Sequence, residues 1–68
     1  MWEVNDYTLV NYLLHGDITK WGDKIIHVEN VIDDGGEYIQ VIGKDSEWEE
    51  EIQILIPDCE TVPLLIWE

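Results

Sequence analysis

The 68-residue chain predicts an α+β fold, with one N-terminal helix packed on a roughly four-stranded antiparallel sheet. Three observations predict it. Apolar residues recur at helical spacing near the N-terminus, β-branched runs follow downstream, and clusters of Gly, Asp and Pro separate those runs. A chain of this length is one domain, Met1 to Glu68, and buries only about 60% of the surface its unfolded form exposes. Its 46% hydrophobic content is nevertheless too high for a disordered acidic tail.

The helix is expected over residues 5 to 15, NDYTLVNYLLH. At 100° per residue Tyr7, Leu9, Val10, Leu13 and Leu14 share one stripe. Asn5 can cap the first turn, Val4 and Leu9 occupy the positions of a hydrophobic staple, Asp6 complements the positive dipole end, and Gly16 suits the C-terminal stop.

The first strand is expected at KIIHVENVI, residues 24 to 32, where Val31 breaks the parity of Ile26 and Val28. A bulge near Glu29 or Asn30 restores it. The turn DDGGE, residues 33 to 37, leads to the returning strand YIQVIG, residues 38 to 43, as a hairpin. KDSE turns the chain into a third strand over residues 47 to 56, and PDCETVP precedes a last strand, LLIWE, residues 64 to 68. Pro57 and Pro63 fit only at strand ends or edges. The alternative architecture is a small SH3-like β-barrel with an N-terminal helix, in which ITKW adds a fifth strand.

Leu55, Leu65 and Trp67 have the opposite parity from Ile54, Leu64 and Ile66, so the last two strands read as apolar on both faces. One helix cannot cover both, which predicts a curled sheet or a homodimer. The single Cys59 offers no internal disulfide, and no ligand spacing suggests a structural metal, so dimerisation is the reinforcement left to a small domain. The sequence predicts no cofactor. No stretch approaches 18 apolar residues and the N-terminus resembles no signal peptide, which predicts a cytoplasmic protein.

Charge is the outlying property. Sixteen Asp and Glu oppose Lys20, Lys24 and Lys44 without any arginine, and the net charge of -13 exceeds the roughly 2 to 8 usual for a small domain. Such density opposes a compact state through self-repulsion. It also excludes direct binding to nucleic acid or anionic membrane, both of which need Lys and Arg at phosphates. The partner it implies is basic.

The candidate partner-binding residues are the carboxylates. Glu47, Glu49 and Glu51 alternate along the expected third strand and would project from one face at roughly 6.6 to 6.8 Å spacing. Glu50 is the misfit on the opposite side, lying at an open face, on a bulge or beyond the strand's true start. Asp45 adds to that end of the sheet. Asp33, Asp34 and Glu37 of the hairpin turn, with Asp58 and Glu60, add to the other. Trp48 and the other aromatics could supply cation–π contacts to arginines. A Cys59–His27 nucleophile pair has no orienting residue, DDGGE lacks the oxygen pattern of an EF-hand loop, and no enzymatic activity is expected.

In size, charge and lack of catalytic residues, the whole chain resembles the small acidic DNA-mimic inhibitors of bacteriophages and other mobile elements. The resemblance rests on no motif. It implies an inhibitor that occupies the basic surface of a DNA-binding protein: a nucleoid protein such as HU, a restriction or CRISPR effector, a repair enzyme or RNA polymerase. An acidic protein–protein interaction or assembly module unrelated to nucleic acid is the alternative. The solvated surface that most charge runs form is the default against which both are weighed.

Overall fold

The N-terminal segment is extended, not helical. A computed structural model describes Met1 to Glu68 as six strands: β1 (Trp2–Leu9), β2 (Ile18–Trp21), β3 (Lys24–Ile32), β4 (Tyr38–Asp45), β5 (Glu51–Pro57) and β6 (Thr61–Trp67). They form one sheet of order β1-β6-β2-β3-β4-β5, and every pairing is antiparallel. The expected helix packed on four strands is therefore replaced by a nearly all-β domain. The barrel alternative places ITKW correctly as β2, but its N-terminal helix is also absent.

The reason lies in what each conformation satisfies. A helix over residues 5 to 15 would rest on one apolar stripe and would be marginal by itself. An extended Trp2–Leu9 pairs along β6 from Trp2↔Trp67 to Leu9↔Thr61, and Trp2, Val4, Tyr7 and Thr8 suit a pleated surface. Only Val10–Tyr12 turns, as one 3-10 helix. It drops Val10 and Leu13 into the core and leaves Tyr12 and Leu14 exposed. Asn5, expected as a helix cap, lies where the register shifts between Val4 and Asp6.

The expected hairpin of β3 and β4 is present, and so is its bulge. The register passes from Val28↔Gly43 to Asn30↔Ile42, skipping Glu29. That extra residue returns Val31, opposite Val41, to the core face. A tighter hairpin joins β2 to β3 through Gly22 and Asp23, with Gly22 at φ +62, the positive φ that primed turns require.

The core lies on one side of the sheet. Ile26 and Val28, Ile39 and Val41, Ile56 and Val62 join Val10 and Leu13, with Trp21, Val31, Ile52, Ile54 and Leu64 packed around them. Each fully buried Ile or Val contributes about 1.5 to 3 kcal/mol. Thr19, also buried, donates its hydroxyl hydrogen to the Pro63 carbonyl at 2.7 Å.

β6 answers the two-sided apolar pattern. It is not terminal in the sheet but lies between β1 and β2. Val62 and Leu64 face the core, whereas Leu65, also buried, faces the outward side opposite Val4. There the Trp2 ring stands edge-on to Trp67 at 5.1 Å and to His27 at 5.6 Å. Pro57 ends the edge strand β5 as expected, but Pro63 lies within the interior β6. The chain ends meet beyond this ladder: the Met1 amino group donates to the Glu68 carbonyl, and the Glu68 N–H donates to the Met1 carbonyl at 2.9 Å.

Candidate functional site

The candidate carboxylates fall into two groups at opposite ends of the β3–β4 hairpin. At the first, Asp33, Asp34 and Glu37 occupy the β3–β4 turn, and Asp58 and Glu60 the β5–β6 turn. The aspartates first shape the backbone: Asp33 Oδ1 accepts from the Gly35 N–H at 2.9 Å and Asp34 Oδ1 from the Gly36 N–H at 3.0 Å. Short carboxylates that reach two residues ahead favour such turns.

Asn11 fastens the two turns together. Its Nδ2 donates to Asp33 Oδ2 at 3.3 Å and to Asp58 Oδ1 at 2.5 Å, while its Oδ1 accepts from the Cys59 N–H at 3.1 Å. A backbone bond from Asp58 N–H to Glu37 O, 2.9 Å, adds a further tie. All these carboxylates remain exposed. Nothing in the sequence singles out Asn11, because a lone Asn carries no local sign of a partner 47 residues away.

The density of negative charge here registers on Cys59. Its exposed thiol is pushed above its ordinary pKa, first by the charge of Asp58, then by desolvation, with Asp33 adding to the effect. Both neighbouring charges oppose a thiolate. The thiol is thus held protonated by the feature that makes this end a candidate for recognising cations.

The second group differs from the expected row. β5 begins at Glu51, so Glu47, Glu49 and Glu50 belong to the turn after β4 and do not alternate along a strand with Glu51. The carboxylate of Asp45 prevents the strand from starting earlier. Its Oδ1 accepts from the N–H groups of Glu47 (2.8 Å) and Trp48 (3.3 Å), and its backbone carbonyl accepts from Glu49 N–H at 2.8 Å. Glu49 takes φ 56, a left-handed conformation uncommon outside glycine. Glu50 lies before the strand, one of the positions anticipated for the misfit.

Asp45 is also 4% exposed, and Lys24 Nζ lies 3.4 Å from its Oδ2. The Glu47 N–H first, then the Trp48 N–H and Lys24, hold its carboxyl below the ordinary range despite desolvation. This carboxylate builds the turn and has little left to offer a partner. Glu47, Glu49 and Glu50 surround Trp48, which is 67% exposed, and Glu51 pairs with Lys44 in the ladder.

The lysines separate the two ends electrostatically. Lys44 lies opposite His27 and Glu51, Lys20 opposite Ile25, and Lys24 opposite Trp21, all toward the end that carries the Ser46–Glu50 turn. Asp33, Asp34, Glu37, Asp58 and Glu60 have no lysine among them. No group of three or more His, Cys, Asp or Glu is arranged to hold a metal ion. No helix is long and apolar enough to cross a membrane.

Fold and surface together define a small acidic domain of one antiparallel sheet. Comparison with protein-family models, curated proteins and solved structures finds no match.

Proposed function

We propose that the chain is a DNA-mimic inhibitor: it occupies the basic surface of a DNA-binding protein with carboxylates placed where that protein meets phosphate. The observation that carries the reading is the lysine-free end of the sheet, where Asn11 holds Asp33 and Asp58 from separate turns side by side. A cluster fixed in the free protein approaches a basic partner without first paying the cost of ordering itself.

Asp34, Glu37, Glu60 and the second carboxylate oxygen of Asp58 complete that surface. Glu47, Glu49, Glu50 and Glu51 form the other contact region, beside the exposed Trp48. Binding is competitive occupation and involves no reaction, because contacts to phosphate supply most of the sequence-independent affinity of a DNA-binding protein.

The test is capture on the immobilised full chain from a lysate of the source organism, with and without added duplex DNA. The expected partner is basic, is displaced by duplex DNA, and binds several-fold more weakly as salt rises from about 0.05 M to about 0.2 M. The triple substitution Asp34→Asn, Glu37→Gln and Glu60→Gln is expected to abolish capture. Partners that DNA does not displace would overturn the reading in favour of an acidic assembly module unrelated to nucleic acid.

A further inference from the structure

β5 is an edge strand, and its backbone is only half used. At either end of its pairing with β4, the Asp45 N–H donates to the Glu50 carbonyl and the Asp58 N–H to the Glu37 carbonyl, both at 2.9 Å. The register between them has no shift, so the even-numbered residues of β5 face β4 and the odd-numbered ones turn away, as antiparallel ladders alternate. The N–H and C=O groups of Glu51, Gln53 and Leu55 therefore point outward, and no hydrogen bond within the chain satisfies them.

The opposite edge is less open to an added strand. β1 loses its register between Val4 and Asp6, and such irregularities blunt an edge. β5 has no bulge, and Glu51 and Pro57 stand only at its ends.

Both faces beside β5 are unfinished. On the core side Ile52 and Ile54 stay half-buried while Ile56 is fully covered, because no strand flanks them beyond the edge. On the outward side Leu55, 61% exposed, pairs with Gln40, which pairs in turn with Ile32. With Tyr38 these residues floor a depression of about 260 Å³ whose rim carries Asp34 and Glu37. It is smaller than the roughly 300 to 1,000 Å³ of a small-ligand pocket and suits one side chain.

We infer that the β5 edge receives an extended segment of the partner as a seventh, antiparallel strand, with apolar and basic side chains alternating along it. A row of outward N–H and C=O groups is matched by another extended backbone. The segment's apolar side chains cover Ile52 and Ile54. A side chain on its other face lies beside Leu55 and reaches the depression, where arginine fits best: its stem covers Ile32 and Leu55, its planar guanidinium stacks on Tyr38, and its donors meet Asp34 and Glu37. A second copy is disfavoured there, because two antiparallel β5 edges centred on Ile54 set Glu50 of each chain opposite Asp58 of the other. The inference rests on the function proposed above and adds the part of the basic partner that makes the contact, an extended arm.

The probe is a capped peptide as long as β5, seven residues, alternating arginine and valine, added to the isotope-labelled full chain at about 0.1 M salt. It is expected to slow amide hydrogen exchange at Gln53 and Leu55 about tenfold or more. In this register the arginine N–H groups face β5, so N-methylation at the arginines is expected to weaken binding about tenfold or more, and N-methylation at the valines to leave it unchanged. Lysine in place of arginine is expected to bind about threefold more weakly, and Tyr38→Ala, checked for folding by circular dichroism, to remove that difference. Equal binding after N-methylation at the arginines would overturn the proposal, as would unchanged exchange at Gln53 and Leu55, a lysine peptide bound equally well, or no binding at about 1 mM. If the peptide fails while captured partners yield to DNA, this inference falls and the proposed function stands. If the peptide binds as described while no captured partner yields to DNA, the function falls and the strand site stands.

Discussion

Replacing Gly43 by alanine tests the sheet register at its tightest point. Gly43 pairs with Val28 beside the bulge, and a Cβ there would stand 2.2 Å from the His27 carbonyl oxygen, 2.9 Å from its carbon and 3.0 Å from Ile26 Cγ2. Two of these atoms are backbone, so no side-chain rotation relieves the clash; β3 and β4 must separate. Overpacking of this kind costs about 1 to 3 kcal/mol, and backbone movement places it at the upper end. Alanine recovers about 0.5 to 1 kcal/mol through its lower conformational entropy in the unfolded chain, leaving a net loss of about 2 kcal/mol. Against the roughly 3 to 10 kcal/mol available to a domain of this length, that is a large fraction. The melting temperature, followed by circular dichroism, should fall by about 8 to 16 °C. A fall of less than about 4 °C would refute the register. Gly22 provides the contrast: nothing lies within 4 Å of its Cβ position, and its φ is +62. Asparagine, which tolerates that conformation, is expected to be accepted at position 22 and rejected at 43.

Two further predictions concern protons. Asp45→Asn should lower stability at neutral pH, because the native carboxylate binds its proton less tightly than the unfolded one. That contribution is present above the ordinary carboxylate range and is lost as pH falls through the lowered pKa of Asp45. The deficit in urea midpoint should therefore shrink between about pH 7 and about pH 2.5, and an equal deficit at both would disprove the role. For Cys59, alkylation by iodoacetamide near pH 7.5 should be slower than that of free cysteine, and Asp58→Asn should accelerate it about threefold or more. No acceleration would mean that the Asp58 charge does not govern the thiol.

Local signals were readable where they were self-contained. DDGGE states its turn in adjacent residues, and the parity break at Val31 announces a bulge that the register confirms. What misled was the N-terminus, where the stripe of Tyr7, Leu9, Val10, Leu13 and Leu14 satisfies helical periodicity. The strand that replaces it depends on β6, more than 50 residues away, and no local pattern reports that partner. The row of Glu47, Glu49 and Glu51 failed for a related reason. Alternation is visible in the sequence, but Asp45 closing a turn over the next residues is not, since a carboxylate that accepts backbone N–H groups reads the same as one that faces water. The grouping of Asp33, Asp34, Asp58 and Glu60 toward one end and Asp45 and Glu47 toward the other follows from consecutive hairpins and survives in the structure, whereas Asn11 as their connector required tertiary knowledge.

The junction of Met1 with Glu68 makes the order of the strands independent of where the chain is cut. A linker of only a few residues would close the backbone into a ring, because the ends already exchange hydrogen bonds, and new termini could be opened between Gly35 and Gly36, where the turn is exposed. Such a permutant would begin with β4 and join β6 directly to β1, turning the most distant pairing in the sequence into a local hairpin. Since folding slows as contacting residues lie farther apart in sequence, the rearranged chain should form the β1–β6 ladder early, leaving the β3–β4 hairpin as its long-range closure.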